Sequence, residues 1–129
     1  WVFHSVISPA MGGILVGHEV ARHFGRRHIF AEKDGGKLRI RRFEVKKGEK
    51  FLVAEDVITT GSAVREVIQL VKEAGGEVVG VACLVDRSCS APELGAPICS
   101  LMALPVETFD GSKIPKDLLG VPAIKPGSG

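Results

Sequence analysis

Hydrophobic positions along the chain fall into two alternating rhythms. Short apolar runs occur at residues 2–7, 51–54, 77–85 and 98–104, with a briefer one at 29–32. Their length and density are those of strands buried on both faces. Between the first two runs, residues 14–24 read as a helix closed by Gly25. A second helix is predicted from Ser62, a candidate N-cap. Val64, Val67, Ile68, Val71 and Ala74 recur there at helical spacing, and Gly75-Gly76 ends the pattern. Strands alternating with helices in this way predict an α/β domain whose central, mostly parallel sheet is flanked by helices.

The charge pattern breaks this rhythm once. Residues 31–50 hold eight Lys/Arg against four acids. Asp34-Gly35-Gly36 has turn chemistry and residues 37–45 partly alternate, which predicts a basic hairpin. A nucleic-acid arm is the rival reading of residues 37–50. Against it stand the absence of interleaved aromatics beyond Phe43 and a whole-chain charge of only +2. Arg39, Arg41 and Arg42 are therefore expected on a solvated hairpin. The tail after Pro105 carries clustered Pro and Gly and reads as irregular.

Composition narrows the class without naming a chemistry. At 129 residues, 45% hydrophobic and 25% charged, the chain is long enough for one domain with a real core, and disorder is excluded. No apolar run approaches the ~18 residues of a membrane span. The opening WVFHSVI has neither a charged leader region nor a cleavage site, and its first residue is Trp, so the N-terminal part is expected to be missing. Cys83, Cys89 and Cys99 form no C-x-x-C. Free thiols in a reducing cytoplasm are expected, with Cys83 and Cys99 packed in strands and Cys89 exposed. His4, His18, His23 and His28 lack metal-ligand spacing and are expected to be ordinary histidines.

The strongest chemical signal is Val53-Ala54-Glu55-Asp56-Val57-Ile58-Thr59-Thr60-Gly61-Ser62. A buried strand delivers two adjacent carboxylates to its C-terminal end, where open α/β sheets bind ligands. The chain then turns through small hydroxyl residues and Gly into a helix N-terminus, a natural phosphate cradle. There is no G-x-x-x-x-G-K-[ST], so the cradle is not a nucleotide P-loop. Acids beside a phosphate nest suit a sugar phosphate, the carboxylates taking hydroxyls.

Residues 52–63, LVAEDVITTGSA, closely resemble the phosphoribosyl-diphosphate (PRPP) motif of type I phosphoribosyltransferases. Ser8-Pro9-Ala10-Met11-Gly12-Gly13 resembles the pyrophosphate loop, Ile29-Phe30-Ala31-Glu32-Lys33 the strand into the catalytic flexible loop, and Val85-Asp86-Arg87 the strand end that reads the base. With residues 121–128, these resemble the short-loop orotate phosphoribosyltransferases over essentially the whole chain, which would be a phosphoribosyltransferase core without the family's N-terminal hood.

The resemblance implies a role for each matched residue. Glu55 and Asp56 would hold the ribose hydroxyls of PRPP, with Mg²⁺ bridging hydroxyls and pyrophosphate. Val57, Ile58, Thr59, Thr60, Gly61, Ser62 and Ala63 would also bind PRPP, the segment from Thr59 to Ala63 wrapping the 5-phosphate. Ala10, Met11 and Gly12 would meet the pyrophosphate, although family members often carry Lys where this chain has Gly12. Thr59 and Arg87 would contact orotate. Lys33 and Lys37 would reach the pyrophosphate, in the neighbouring subunit of a homodimer. Asp56, Lys33 and Lys37 are thus the expected catalytic residues. Two rivals share the motif. A purine-base enzyme would be expected to stack an aromatic near residue 87, which this chain lacks there. A PRPP-sensing regulator would show a broader basic face.

Overall fold

The computed structural model describes residues 1–88, 93–104, 106–107, 109–122 and 124. Cys89 and most of the 121–128 segment singled out above lie outside them. Among the described residues, six strands form one sheet: β1 (Ser5–Pro9), β2 (Arg27–Asp34), β3 (Lys37–Arg39), β4 (Lys50–Ile58), β5 (Glu77–Asp86) and β6 (Ile98–Ala103). Helix α1 (Gly13–His23) links β1 to β2, and α2 (Ser62–Glu73) links β4 to β5. The spatial order is β3-β2-β1-β4-β5-β6, parallel throughout except for the antiparallel β2–β3 pair.

The alternation along β4 shows why this sequence makes a layered sheet. Phe51 and Val53 enter one core with Val64, Val67, Ile68 and Val71 of α2, while Leu52 and Ala54 enter the other with Ala21, Val16 and Val20 of α1. Successive strand residues point to opposite faces, so an uninterrupted apolar run needs a helix on each side. Phe51, wholly buried, is a central member; truncation to Ala would cost about 3–5 kcal/mol.

Several predicted boundaries move, each for a tertiary reason. The first strand begins at Ser5 and runs through Pro9, because its ladder with β2 extends to the Pro9↔Ala31 pair. β4 does not stop before the acids: Val57 and Ile58, expected in a loop, pair with Val85 and Asp86 of β5. Ser62 is the first residue of α2 rather than its cap. Gly61, at φ 72°, holds the cap position, and no side chain caps the helix. Ala74, placed on the buried face by periodicity, lies beyond the last helical residue and is exposed. The basic hairpin forms, but β3 holds only three residues. The chain then folds back along the sheet edge, where Arg27 donates to the Glu44 carbonyl at 2.9 Å and pairs with the Glu49 carboxylate at 2.9 Å.

β6 corrects a further expectation. Cys99 is exposed, not packed, because the edge strand β6 also leaves Leu101 83% exposed. On the neighbouring strand, Trp1 lies against β5. A Cβ on Gly80 would come within 2.6 Å of Trp1 Cε3, so the indole rests directly on backbone.

Candidate active site

Chain order winds one way from β1 to β2 and the other way from β4 to β5, so the direction reverses between β1 and β4. Strand ends at such a reversal diverge and leave a crevice. The β1–β4 ladder ends at Ile7↔Val53. Beyond it one chain enters Ala10-Met11-Gly12 and the other carries Glu55 and Asp56.

The two chains meet again through glycine. A Cβ at Gly12 would lie 2.8 Å from Asp56 Cγ, and one at Gly13 would lie 2.9 Å from Glu55 Oε1. Glycine is required here by close approach, since neither residue has a positive φ. Glu55 is buried, at 7% exposure. Burial, reinforced by the neighbouring Asp56, pushes its carboxyl up to about 8. Glu55 thus keeps its proton to higher pH than an ordinary carboxyl, and the crevice holds one full negative charge more readily than two. Asp56 Oδ1 accepts the Val57 N–H at 2.8 Å, which fixes its carboxylate at the strand end.

Past Ile58 the chain makes the expected turn into α2. Thr59 and Thr60 are exposed, while Gly61 is buried in the left-handed conformation that lets the turn close. The Thr60 hydroxyl bonds the Ser62 hydroxyl at 3.2 Å, and the Arg65 guanidinium donates to the Thr60 carbonyl at 2.8 Å. A small hollow of about 50 Å³ is lined by Glu55 and residues 57–64. Ser62, Ala63 and Val64 of the first turn of α2 line it, with the Ser62 N–H donating to the Thr60 hydroxyl at 3.4 Å, so an anion there would meet the positive end of the helix dipole. The main chain of Arg87 is tied to this corner, its N–H donating to the Ile58 carbonyl at 2.8 Å. Its side chain is exposed and enters none of the ion pairs found among the described residues. Asp86, its potential partner, instead accepts both the N–H and the hydroxyl of Ser88.

The two expected lysines part company. Lys33 lines a cavity of about 610 Å³ together with Ala10 and Met11 of the loop, Phe30, Glu32 and Arg42. Lys37 lines a separate groove against α2. The structure therefore brings Lys33, but not Lys37, into one cavity with the predicted pyrophosphate loop. Sequence reasoning overlooked the support beneath that loop. Ser8, wholly buried at the end of β1, bonds His28 Nε2 through its hydroxyl at 2.6 Å, and Gly17 of α1 packs onto both. Burial, followed by the charge of nearby His18, lowers the pKa of His28. A Ser and a His inside apolar strand segments were the available signal. Among the described residues no three His, Cys, Asp or Glu gather as a metal site.

A crevice at a sheet's winding reversal, with two acids, a glycine turn into a helix and a basic hairpin around it, sets the candidate site at the strand ends of an α/β scaffold. The phosphoribosyl transferase domain matches residues 3–110, and the chain belongs to that family. It is similar to the orotate phosphoribosyltransferase of Desulforamulus reducens, with 54% identity over 125 residues covering 96% of this chain and 65% of that protein. The orotate phosphoribosyltransferase of Caldicellulosiruptor bescii is 49% identical over 124 residues, again with 65% of its length covered. The chain thus spans just under two thirds of the length of these relatives. Among solved structures, adenine phosphoribosyltransferase from Thermoanaerobacter pseudethanolicus shares the fold at a TM-score of 0.70 and 21% identity, over 80% of this chain and 72% of that one. Orotate phosphoribosyltransferase from Aeropyrum pernix does so at 0.67 and 22%, over 79% and 61%. The type I phosphoribosyltransferase architecture expected from the sequence is the one observed.

Proposed function

We propose that this chain is the catalytic core of an orotate phosphoribosyltransferase, which moves the phosphoribosyl group of PRPP onto orotate to give orotidine 5-phosphate and pyrophosphate in pyrimidine synthesis. The observation that carries the reading is the pairing of Glu55 and Asp56 with Gly12 and Gly13 in the β1–β4 crevice, next to the turn at residues 59–63. Relatives at 49% and 54% identity bearing that name support the choice of base.

The chemistry follows from charge. Orotate nitrogen forms a bond to the anomeric carbon as the bond to pyrophosphate breaks, and the ribose passes through a cation-like state. Asp56, and Glu55 once deprotonated, hold the ribose hydroxyls and favour that positive charge. The first-turn N–H groups of α2 and the 59–63 turn anchor the 5-phosphate, so the sugar is fixed while its far end reacts. Lys33, beside Ala10 and Met11, offsets charge on the departing pyrophosphate. The exposed Arg87 fork is suited to the orotate carboxylate, with Thr59 as the second contact. Lys37 completes the pyrophosphate contacts only from a displaced hairpin or from the partner of a homodimer.

Two neighbouring carboxylates, with no third metal-ligating group gathered beside them among the described residues, suit Mg²⁺, which binds through few protein groups plus substrate oxygens rather than in a protein cage. PRPP oxygens would hold it for the most part, near Glu55 and Asp56, and when bound it supplies charge neutralisation for the leaving group. The setting is cytoplasmic in this reading; among the described residues no helix is long and apolar enough to cross a membrane.

The test is orotate-dependent pyrophosphate release from Mg-PRPP, beside adenine, guanine and uracil. Release with orotate alone is expected. Release with a purine instead would move the chain to the purine enzymes, and Mg-PRPP binding without turnover would leave a PRPP-binding module.

A further inference from the structure

Arg65 and Glu66 leave the start of α2 in two directions. The Arg65 guanidinium reaches back to the Thr60 carbonyl at 2.8 Å, inside the phosphate turn. Glu66 Oε1 accepts the backbone N–H of Leu38 at 2.6 Å. Leu38 is the middle residue of β3, only 4% exposed, and stands opposite Lys33 in the hairpin ladder. Because β3 is the sheet edge, an N–H on its outer side has no further strand to bond. Burying that group unpaired would be costly, and a carboxylate is the strongest acceptor a side chain can offer it. Nearby, a groove of about 750 Å³ lies between the hairpin and α2, lined by Lys37, Arg39 and Gln69 among others. The Glu66–Leu38 bond is thus a tie across a loosely filled boundary.

We propose that Arg65 and Glu66 are paired positioning residues, which fasten the phosphate turn and the lysine hairpin to the same rigid turn of α2. This rests on the function proposed above. Neither residue touches a reacting atom. Their effect is to hold the segment that grips the 5-phosphate and the segment that carries Lys33 in fixed relation, so that both ends of PRPP are met at once. The division of labour is specific: Arg65 governs how well PRPP is held, and Glu66 governs how well the lysine meets the leaving group.

The experiment is steady-state kinetics with Mg-PRPP and orotate on the wild type, Arg65→Ala, Glu66→Ala and Glu66→Gln, with amide hydrogen exchange over residues 37–39. Glu66→Ala is expected to lower kcat about tenfold at nearly unchanged KM for PRPP, the size of a small misplacement of a catalytic group. It should also speed exchange at Leu38. Glu66→Gln keeps an oxygen for the Leu38 N–H and is expected to recover most of kcat. Arg65→Ala is expected to raise KM for PRPP by about tenfold with kcat nearly kept. The proposal is overturned if Glu66→Ala frees Leu38 yet leaves kcat intact, if Glu66→Gln is as impaired as Glu66→Ala, or if Arg65→Ala leaves KM unchanged. A wild type that neither binds Mg-PRPP nor turns over would sink the functional reading and the clamp with it. That pattern is distinct from an active wild type with indifferent variants.

Discussion

The corner at the end of β4 and the hairpin formed by β2 and β3 both face phosphate in the proposed reaction, yet they are built on opposite plans. The corner lies in the middle of the sheet, behind Phe51, Leu52, Val53 and Ala54, all buried. Its turn is shaped by Gly61 and main-chain groups. The hairpin lies at the sheet edge and exposes Lys33, Asp34, Lys37 and Arg39. It is steadied by long side chains, including Arg42 to Glu32 at 2.9 Å. Exposed ion pairs of this sort contribute about 0–1 kcal/mol, whereas the corner is held by core packing. A central strand can therefore fix atoms through packing, while an edge hairpin needs side-chain ties such as Glu66 to Leu38 to present its charge.

Substitutions can break or sharpen this contrast. The largest effect is expected at the corner: Asp56→Ala should lower orotate-dependent pyrophosphate release by on the order of 10²-fold or more, measured at saturating substrate. On the hairpin, Lys33→Ala should cost about tenfold or more in kcat/KM and Lys37→Ala clearly less, since only Lys33 shares a cavity with Ala10 and Met11. Equal losses would show that the hairpin closes much further than its resting geometry.

Gly12→Ala forces a methyl group against the Asp56 carboxylate. A rise of several-fold in KM for PRPP is expected, of the order of a sub-ångström misplacement, with the melting temperature little changed. A large drop in melting temperature would assign Gly12 to folding instead.

A separate test concerns stability. The Glu55 carboxyl is raised to about 8 by burial and by Asp56, so in the folded chain it keeps a proton that the unfolded chain releases near pH 4.5. The native state therefore binds more protons between those values, and stability falls as pH rises from about 4.5 to 8. Glu55→Gln should flatten that slope in chemical denaturation at several pH values. An unchanged slope would remove Glu55 as its source.

The corner was also the more legible region. An apolar run, two acids, small hydroxyl residues and Gly are local signals, and the strand, turn and helix they predict are present within a few residues. Strand–helix alternation pointed to a mostly parallel sheet and leaves few topologies open, but the strand order itself is seen only in the structure. What sequence could not supply was long-range partnership. That Val57 and Ile58 continue the strand depends on Val85 and Asp86, 28 residues away in each pair. That Glu66 serves β3 depends on an edge N–H 28 residues earlier. Cys99 looked buried because it lies within a largely apolar strand segment, but an edge strand with few partners leaves such residues in water.

The contact between Trp1 and Gly80 has a practical consequence for optical work. The chain has one tryptophan and no tyrosine, so nearly all of its near-ultraviolet fluorescence arises where that indole rests on the β5 backbone. Gly80 lies near the start of β5, while the acids and the phosphate turn occupy the far ends of the strands. Emission should stay almost silent when a ligand enters the crevice and change when the first residues peel from β5. A fluorescence melt that precedes the circular-dichroism melt would thus record the lifting of the segment around Trp1, with the sheet behind it still intact.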